Sequence, residues 1–327
     1  MKSVVPFLKQ ISRDPDWLLR VESSSLGYVL FKNGYHDGLV FYDKETHGFN
    51  PDIFFTTRLD IDHTVCMADE EKAYVQDAKQ RLFYNAIGSH DVAAWFILNV
   101  ARALMGGAFD MKRILFCLGQ SNCGKTTICT AITNSLGQYV GSFDAHSLAV
   151  QKNKSADQAQ NQRWLLALCR CRSILSSELD VKTTVCEHKL KIAAIGGDSL
   201  VVLLHYRTEQ RFKPTFVPFI CANDMPQIVP FHDAQSNRAR FMNFNIVFVR
   251  GEPKNNTELK MDPNIHREMN TTLFKTAFIN MIMDAYKTYR VQYDLNGLEP
   301  IGPEEIIVAK QIWVAEDSQK KKQWRSS

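Results

Sequence analysis

An α/β fold whose centre is a strand, a glycine-bounded loop and a helix is predicted for this chain by three observations. The segment Gly119-Gln120-Ser121-Asn122-Cys123-Gly124-Lys125-Thr126, with Thr127 behind it, has the spacing of a phosphate-binding loop. Ile114 to Leu118 is an uninterrupted apolar run that reads as a buried strand entering the loop. Lys125 to Leu136 reads as a helix, stopped by Gly137. The order matters because the chemistry needs it. A loop of this spacing turns backbone N–H groups toward phosphates, Lys125 reaches the β and γ oxygens, and the Thr126 hydroxyl ligates Mg²⁺. A chance match would account for the loop but not for both flanks, so the chain is expected to bind a nucleoside triphosphate.

The 327 residues are 45% hydrophobic, enough to bury a large core divided into about two or three structural units. Eight cysteines are scattered without short paired spacings, Cys169 and Cys171 coming nearest, so they are expected to be reduced intracellular thiols and not a zinc or disulfide framework. The first residues contain no apolar stretch of signal-peptide length, and no uncharged run approaches the ~20 residues that cross a bilayer. A soluble protein with no membrane partner is therefore expected. The net charge of +4 is too small to argue for nucleic-acid binding, so the placement of the charges carries more weight than their sum.

Residues 1 to about 60 mix short β-like runs such as Tyr28 to Phe31 with turns at Asn33-Gly34 and Asp37-Gly38. From Ala68 to Ile87 the positions Tyr74, Val75, Ala78, Leu82 and Phe83 recur at helical spacing, with Asp69 as the expected N-cap. A second helix, capped by Ser89, places Val92, Phe96, Val100 and Leu104 on one face and ends at Gly106-Gly107. Beyond the loop region, Ile265 to Tyr289 reads as one long helix with Met269, Leu273, Ala277, Met281 and Ala285 spaced for burial. A last helix starts near Pro303 and runs into the basic tail Lys320, Lys321, Lys322, Trp324 and Arg325. These divisions give an N-terminal helical, collar-like domain over 1–108, a nucleotide-binding core over 109–255, and a C-terminal helical region with a basic tail over 256–327. No internal repeat or low-complexity tract interrupts them.

A phosphate loop needs an acid to handle Mg²⁺ and water. Arg172 to Ser177 offers a short apolar strand ending at Glu178, with Asp180 as the reserve; an ordinary surface glutamate after a strand is the alternative. Pro214 to Ala222 reads as a second buried strand, ending at Asn223, whose amide can orient an attacking water or simply cap the turn into Asp224-Met225-Pro226. Arg238 and Arg240 head a further apolar run, either solvated or serving as an arginine finger to a neighbouring subunit. Between the two strands lie Lys189, Lys191, His205, Arg207, Arg211 and Lys213, with few acids. Val201 to Arg207 reads as a hairpin able to present His205 and Arg207 to a phosphodiester backbone, unless the whole segment is a solvated charged face.

The order of these pieces resembles the superfamily 3 helicases of DNA viruses, and more narrowly the poxvirus-type primase-helicase ATPase group. The pieces are Gly119 to Thr126, the strand ending Ser177-Glu178, Leu190 to Asp198, the strand ending Asn223, and Arg238 and Arg240 before an apolar run. Phe31 to Gly34 through Phe54 to Thr57, with the two helices that follow, also looks like the helical region preceding the ATPase in that group, so the resemblance covers most of residues 28–290. It implies an AAA+ ATPase core in a hexameric ring that moves along single-stranded or forked DNA at a viral replication fork, inside the host cell at replication sites in the cytoplasm or nucleus. It implies ATP and Mg²⁺ as cofactors, Lys125 and Thr126 as their ligands, Glu178 as the Walker B acid and metal ligand, Asn223 as sensor 1, and Arg240, then Arg238, as the arginine finger. Lys191, His205, Arg207 and Arg211 fall in the stretch that would carry the DNA-binding pore hairpin. A primase or polymerase is the implied partner.

Two features depart from that pattern. Ser177 stands where papillomavirus-type relatives have the first acid of a pair, leaving more of the metal handling to Glu178. Full-length poxvirus-type relatives also carry an upstream primase domain, for which this chain has too few residues before the loop; a helicase-only protein or a fragment is expected. The competing functions are a nucleotide-gated DNA-binding initiator or scaffold without processive unwinding, and a monomeric P-loop kinase of small molecules.

Overall fold

The structure, a computed structural model, describes residues 23–64, 68–150, 163–180, 182–194, 198–203, 209–229, 237–298 and 300–326. Near the N-terminus β1 (Val29–Phe31), β2 (Gly34–His36) and β3 (Phe41–Asp43) form an antiparallel meander. The first turn is Lys32-Asn33, one residue before the expected Asn33-Gly34, since Gly34 already pairs with Phe31, and the second holds Asp37-Gly38 as expected. Helix α1 (Asp69–Lys79) follows. Its N-cap is Ala68, whose N–H donates to Glu71 Oε2 at 3.1 Å, so Asp69 is the first helical residue and not the cap. The helical run continues through a π-helical segment, Gln80–Tyr84, into Asn85–Ile87, a form of local widening that recurs at functional sites.

Helix α2 (His90–Leu104) begins as expected, with Ser89 Oγ accepting from Val92 N–H, and buries Val92, Phe96, Val100 and Leu104. After the short helix Ala108–Met111 the chain enters β4 (Ile114–Leu118), all five residues of which are buried. The phosphate loop then leads into α3 (Lys125–Leu136), ended by Gly137. The chain continues through β5 (Val140–Phe143), the short helix Arg163–Ala167, β6 (Ser173–Ser176), β7 (Thr184–Cys186) and α4 (Glu187–Ala193). Strands β8 (Leu200–Leu203) and β9 (Glu209–Phe212) pair antiparallel, so the hairpin expected over Val201 to Arg207 has its return strand farther along, at Glu209–Phe212. Then come β10 (Val217–Ala222), β11 (Gln227–Val229), β12 (Ala239–Asn243), β13 (Val247–Val249) and β14 (Glu258–Lys260).

The expected single helix from Ile265 is two. A short Ile265–Glu268 segment stops, and Thr271 starts α5 (Thr272–Gln292) by accepting from Phe274 N–H at 3.2 Å. The periodicity carries across the break, since Met269, Ala277 and Met281 are buried as expected, but Leu273 points outward and Phe274, Phe278 and Ile282 fill the buried face. The last helix, α6 (Glu304–Ser326), packs on β12 through Trp313, whose ring lies 4.7 Å from that of Phe241.

Five parallel strands in the order β12-β4-β10-β6-β5 form the central sheet, giving a mixed α/β architecture. Its inner strands β4 and β10 are buried along their whole length because both faces are covered, whereas the edge strands β5 and β12 carry exposed polar residues. Leu115 and Cys117 of β4 join a core with α2, α3 and α5, while Ile114, Phe116 and Leu118 face a second core with α4, the β8-β9 hairpin and α6. Phe96 meets Phe219 of β10 edge-on at 5.6 Å on the first face, and Phe116 stacks on Phe241 at 5.0 Å on the second.

One polar network braces the first core. Arg81, in the π-helical segment, bonds Asp77 at 2.7 Å, Asp262 at 3.0 Å and Glu268 at 2.7 Å, and Tyr74 donates to the same glutamate. The Arg81 guanidinium holds the Glu268 carboxyl below the usual glutamate range, against the opposing effect of burial. A depressed folded pKa stabilises above the unfolded value, about 4.3. The contribution is lost as the pH falls through the folded value. Glu268→Gln is expected to cost about 1–2 kcal/mol at pH 7. Its unfolding midpoint should converge on that of the wild type as the pH is lowered through 4; a gap that persists in acid would contradict the assignment.

Candidate functional site

Ligands of open parallel sheets sit outside the carboxyl ends of the strands, and of the expected site residues the loop Gly119 to Thr127, Glu178 and Asn223 gather there. The phosphate loop leaves the end of β4. Gly119 N–H donates to Ala222 O at 3.2 Å, so the loop starts beside the end of β10, one residue before Asn223. A Cβ on Gly119 would lie 2.7 Å from Phe244 O and 2.9 Å from Cys123 Sγ, and Gly124 adopts φ +90 with Ala86 and Phe248 each 3.2 Å from where its Cβ would be. Gly119 is therefore required by space, and Gly124 by its left-handed conformation, with little room left around it. Asn122 takes φ 63, a left-handed state that Asn tolerates, and its carbonyl accepts from Phe248 N–H at 2.9 Å, which anchors the loop to β13.

Lys125, the first residue of α3, is buried. Its ammonium donates to the carbonyl of Gly119, to Gln120 O at 3.2 Å, to Cys123 Sγ at 3.4 Å and to Asn223 Oδ1 at 3.3 Å. Asn223 thus faces the loop lysine and does more than cap a turn. Glu178, two residues past β6, lines the same cleft of about 620 Å³ as Gln120 to Thr127. Ser177 turns away: its hydroxyl accepts from Ala145 N–H at 3.0 Å and donates to Asp144 at 3.3 Å, tying β6 to the end of β5. Asp180 shapes a local turn by accepting from Lys182 N–H, 3.1 Å.

The far wall of the cleft is one that sequence reasoning missed. Leu82, Ala86, Phe248 and Ile265 present apolar surface, with Arg81 and Asp262 at its edge. These residues come from three distant segments with no common spacing, so only their apolar character was legible. The carboxylate of Glu178 and the hydroxyl of Thr126 are hard oxygen donors of the kind that suit Mg²⁺ held jointly with substrate phosphates. Among the described residues no group of three His, Cys, Asp or Glu forms a metal cage of its own.

The arginines are elsewhere. Arg240 pairs with Leu115 across β12 and β4, leaving it about 13 Å short of Gly119 at roughly 3.3 Å per residue. Arg238 precedes it, nearer still to the opposite end of the sheet. Of the basic cluster, Lys191 on α4 and Arg211 on β9 are exposed, Arg211 opposite the exposed Val201. His205 and Arg207 lie outside the described residues, as do Gly196 and Gly197. Lys189 is committed to Ala149 O at 3.0 Å. No described helix is long and apolar enough to cross a membrane.

No protein-family model matches the chain. It is 33% identical over 324 residues, 97% of its length, to the Sputnik virophage protein V13, to which a helicase function is ascribed, and it spans 39% of that protein. Among solved structures, the apo A form of the NrS-1 C-terminal region is similar with a TM-score of 0.49 and 12% identity over 93% of this chain and 75% of that one. A second apo structure of that region gives 0.43 and 12% over 84% and 72%.

Two substitutions test the cleft. Lys125→Ala is expected to abolish nucleoside triphosphate turnover, and retained activity would remove the loop from consideration. Asn223→Ala should slow turnover by about 10-fold or more while changing the affinity for a fluorescent ATP analogue far less, because its amide faces the loop lysine.

Proposed function

We propose that the chain is the ATPase motor of a viral replication helicase of the superfamily 3, AAA+ type, a hexameric ring that moves along single-stranded DNA and hydrolyses ATP between subunits. The observation that carries this reading is the division of the sheet. Lys125, Asn223 and Glu178 lie at one end, and Arg238 and Arg240 at the other, out of reach of the cleft in their own chain. Remote from the cleft of its own chain, such an arginine in the proposed ring serves the cleft of an adjoining copy across a head-to-tail contact. The 33% identity to a virophage protein with an ascribed helicase function supports the same conclusion.

On this reading the loop N–H groups and the N-terminus of α3 cradle the phosphates. Lys125 exchanges its Gly119 and Gln120 carbonyls for β and γ oxygens. Glu178 accepts a hydrogen bond from the attacking water, Asn223 orients that water, and Arg240 of the adjoining copy, assisted by Arg238, neutralises charge that grows on the γ-phosphoryl group. Thr126 and Glu178 would hold Mg²⁺, which when bound would neutralise phosphate charge. The apolar wall of Leu82, Ala86, Phe248 and Ile265 takes the base. The β8-β9 hairpin, with Arg207, His205 and Arg211, and Lys191 on α4, meet the DNA backbone. The working place is inside the host cell, at viral replication sites, alongside a primase or polymerase. On this reading residues 1–108, 109–255 and 256–327 correspond to collar, motor and C-terminal helical region.

The specific ATPase rate, measured over a range of protein concentrations with and without single-stranded DNA at fixed salt, is expected to rise cooperatively with both. A flat rate, indifferent to both, would return the chain to a monomeric NTPase; a DNA-stimulated rate without strand displacement would make it an initiator. Arg207→Ala combined with Arg211→Ala should lower DNA stimulation and flatten its salt dependence by about two phosphate contacts while sparing the basal rate.

A further inference from the structure

At the N-terminal end of β12 Arg240 and Lys310 converge on Asn237, with Arg238 between Asn237 and Arg240 in sequence, and among the described residues none of the three is bonded to a carboxylate. Arg240 Nη1 donates to the carbonyls of Asn237 and Ala239, both at 2.9 Å. Lys310 reaches in from α6, its Nζ 3.5 Å from Asn237 Oδ1. One asparagine therefore engages two like charges, one through its main chain and one through its side chain. Arg238 Nη1 is buried with no acceptor among the described residues. Burial, and then the charge of Arg240, pushes the Lys310 pKa down, and burial pushes that of Arg240 down.

Lys310 is held there by structure. Its neighbour Ala309 is buried, and Trp313, one turn on, packs against Phe241 and sends its Nε1 hydrogen bond to Pro226 O at 3.4 Å. A flexible lysine would leave such a cluster, because like charges at short range repel and each loses hydration. Convergence of this kind is stable when an anion completes it. The reacting γ-phosphoryl group spreads charge over three equatorial oxygens, which suits three cations better than one.

We propose that Arg238, Arg240 and Lys310 form a single anion site for the terminal phosphate of a nucleoside triphosphate bound to an adjoining copy, with Lys310 as a second cation stabilising the transition state. The inference rests on the ring reading above. It adds a residue from the last helix to the catalytic interface, which makes the seating of α6 on β12 a condition for turnover.

The test uses the full chain and pairs of inactive variants. Lys310→Ala, with Lys310→Gln as a variant that keeps the stem, is expected to lower DNA-stimulated ATPase about 10-fold or more while the affinity for a fluorescent ATP analogue changes by less than about twofold. Lys310→Arg should recover part of the rate. Equal mixing of Lys310→Ala with Lys125→Ala should regain activity, because about a quarter of randomly formed head-to-tail interfaces then join an intact loop to an intact Lys310. Arg240→Ala mixed with Lys125→Ala is the control. If the control pair complements and Lys310→Ala turns over normally, or never complements, the Lys310 assignment is wrong and the ring stands. A Lys310→Ala variant that loses affinity for single-stranded DNA at an unchanged basal rate would make the anion a nucleic-acid phosphate and overturn the proposal. If the control pair also fails and the wild-type rate is independent of concentration, the ring reading falls and this inference falls with it.

Discussion

The parallel register between β4 and β10 is the constraint on which the cleft depends. Phe219 lies beside Leu115 and Ala222 beside Leu118, so the two strands end together and their next residues, Asn223 and Gly119, emerge side by side. The loop then needs only its glycines to bring Lys125 back over β10, where its ammonium meets Asn223. Because β10 also pairs with β6, Glu178 emerges on the far side of Asn223 at the same end of the sheet. A slip of one residue would exchange the faces of every side chain in β10, sending Phe219 out of the core it shares with Phe96. The packing that stabilises the fold and the geometry that aligns the site are thus one requirement.

What could be read in the sequence were features set by local rules. The loop spacing, the continuous apolar run of β4, the Ser89 cap and the Gly137 stop each follow from the chemistry of a few adjacent residues, and each stands where those rules put it. Asn223 was legible as a polar residue at the end of a buried strand, but its partner was not, since Lys125 is distant in sequence. The errors have the same origin. Asp69 resembles a cap, yet Glu71 supplies the bond at Ala68, and Thr271 interrupts a helix whose periodicity continues across it. The wall of Leu82, Ala86, Phe248 and Ile265, and the Arg81 network behind it, come from segments brought together only by tertiary packing, for which single-sequence periodicity carries no signal.

The two ends of the sheet differ in what they lack. At the loop end, Lys125 is satisfied mostly by backbone carbonyls, acceptors that it can surrender at little cost because water or phosphate can replace it. At the other end, Arg240 and Lys310 lean on Asn237 and have no counter-charge among the described residues. Each chain on the proposed reading is therefore incomplete twice, offering cations at one edge and a phosphate cleft at the other. Ser177 fits the same economy: its hydroxyl ties β6 to β5 and leaves Glu178 as the carboxylate at the mouth of the cleft.

The first hydrophobic core has a consequence for how the chain is made. Val29 and Phe31 near its start, Phe83 and Phe96 in the middle, and Phe274 and Phe278 toward its end belong to one cluster, with Phe83 placing its ring 5.9 Å from that of Phe278. Such contacts between residues far apart in sequence close late, because the loops between them must be ordered first. On the ribosome, α1 and α2 would emerge and wait with their apolar faces uncovered until α5 has been synthesised. That interval, on the order of ten seconds or more at 5–20 residues per second, is when the nascent polypeptide is exposed to aggregation and to chaperones.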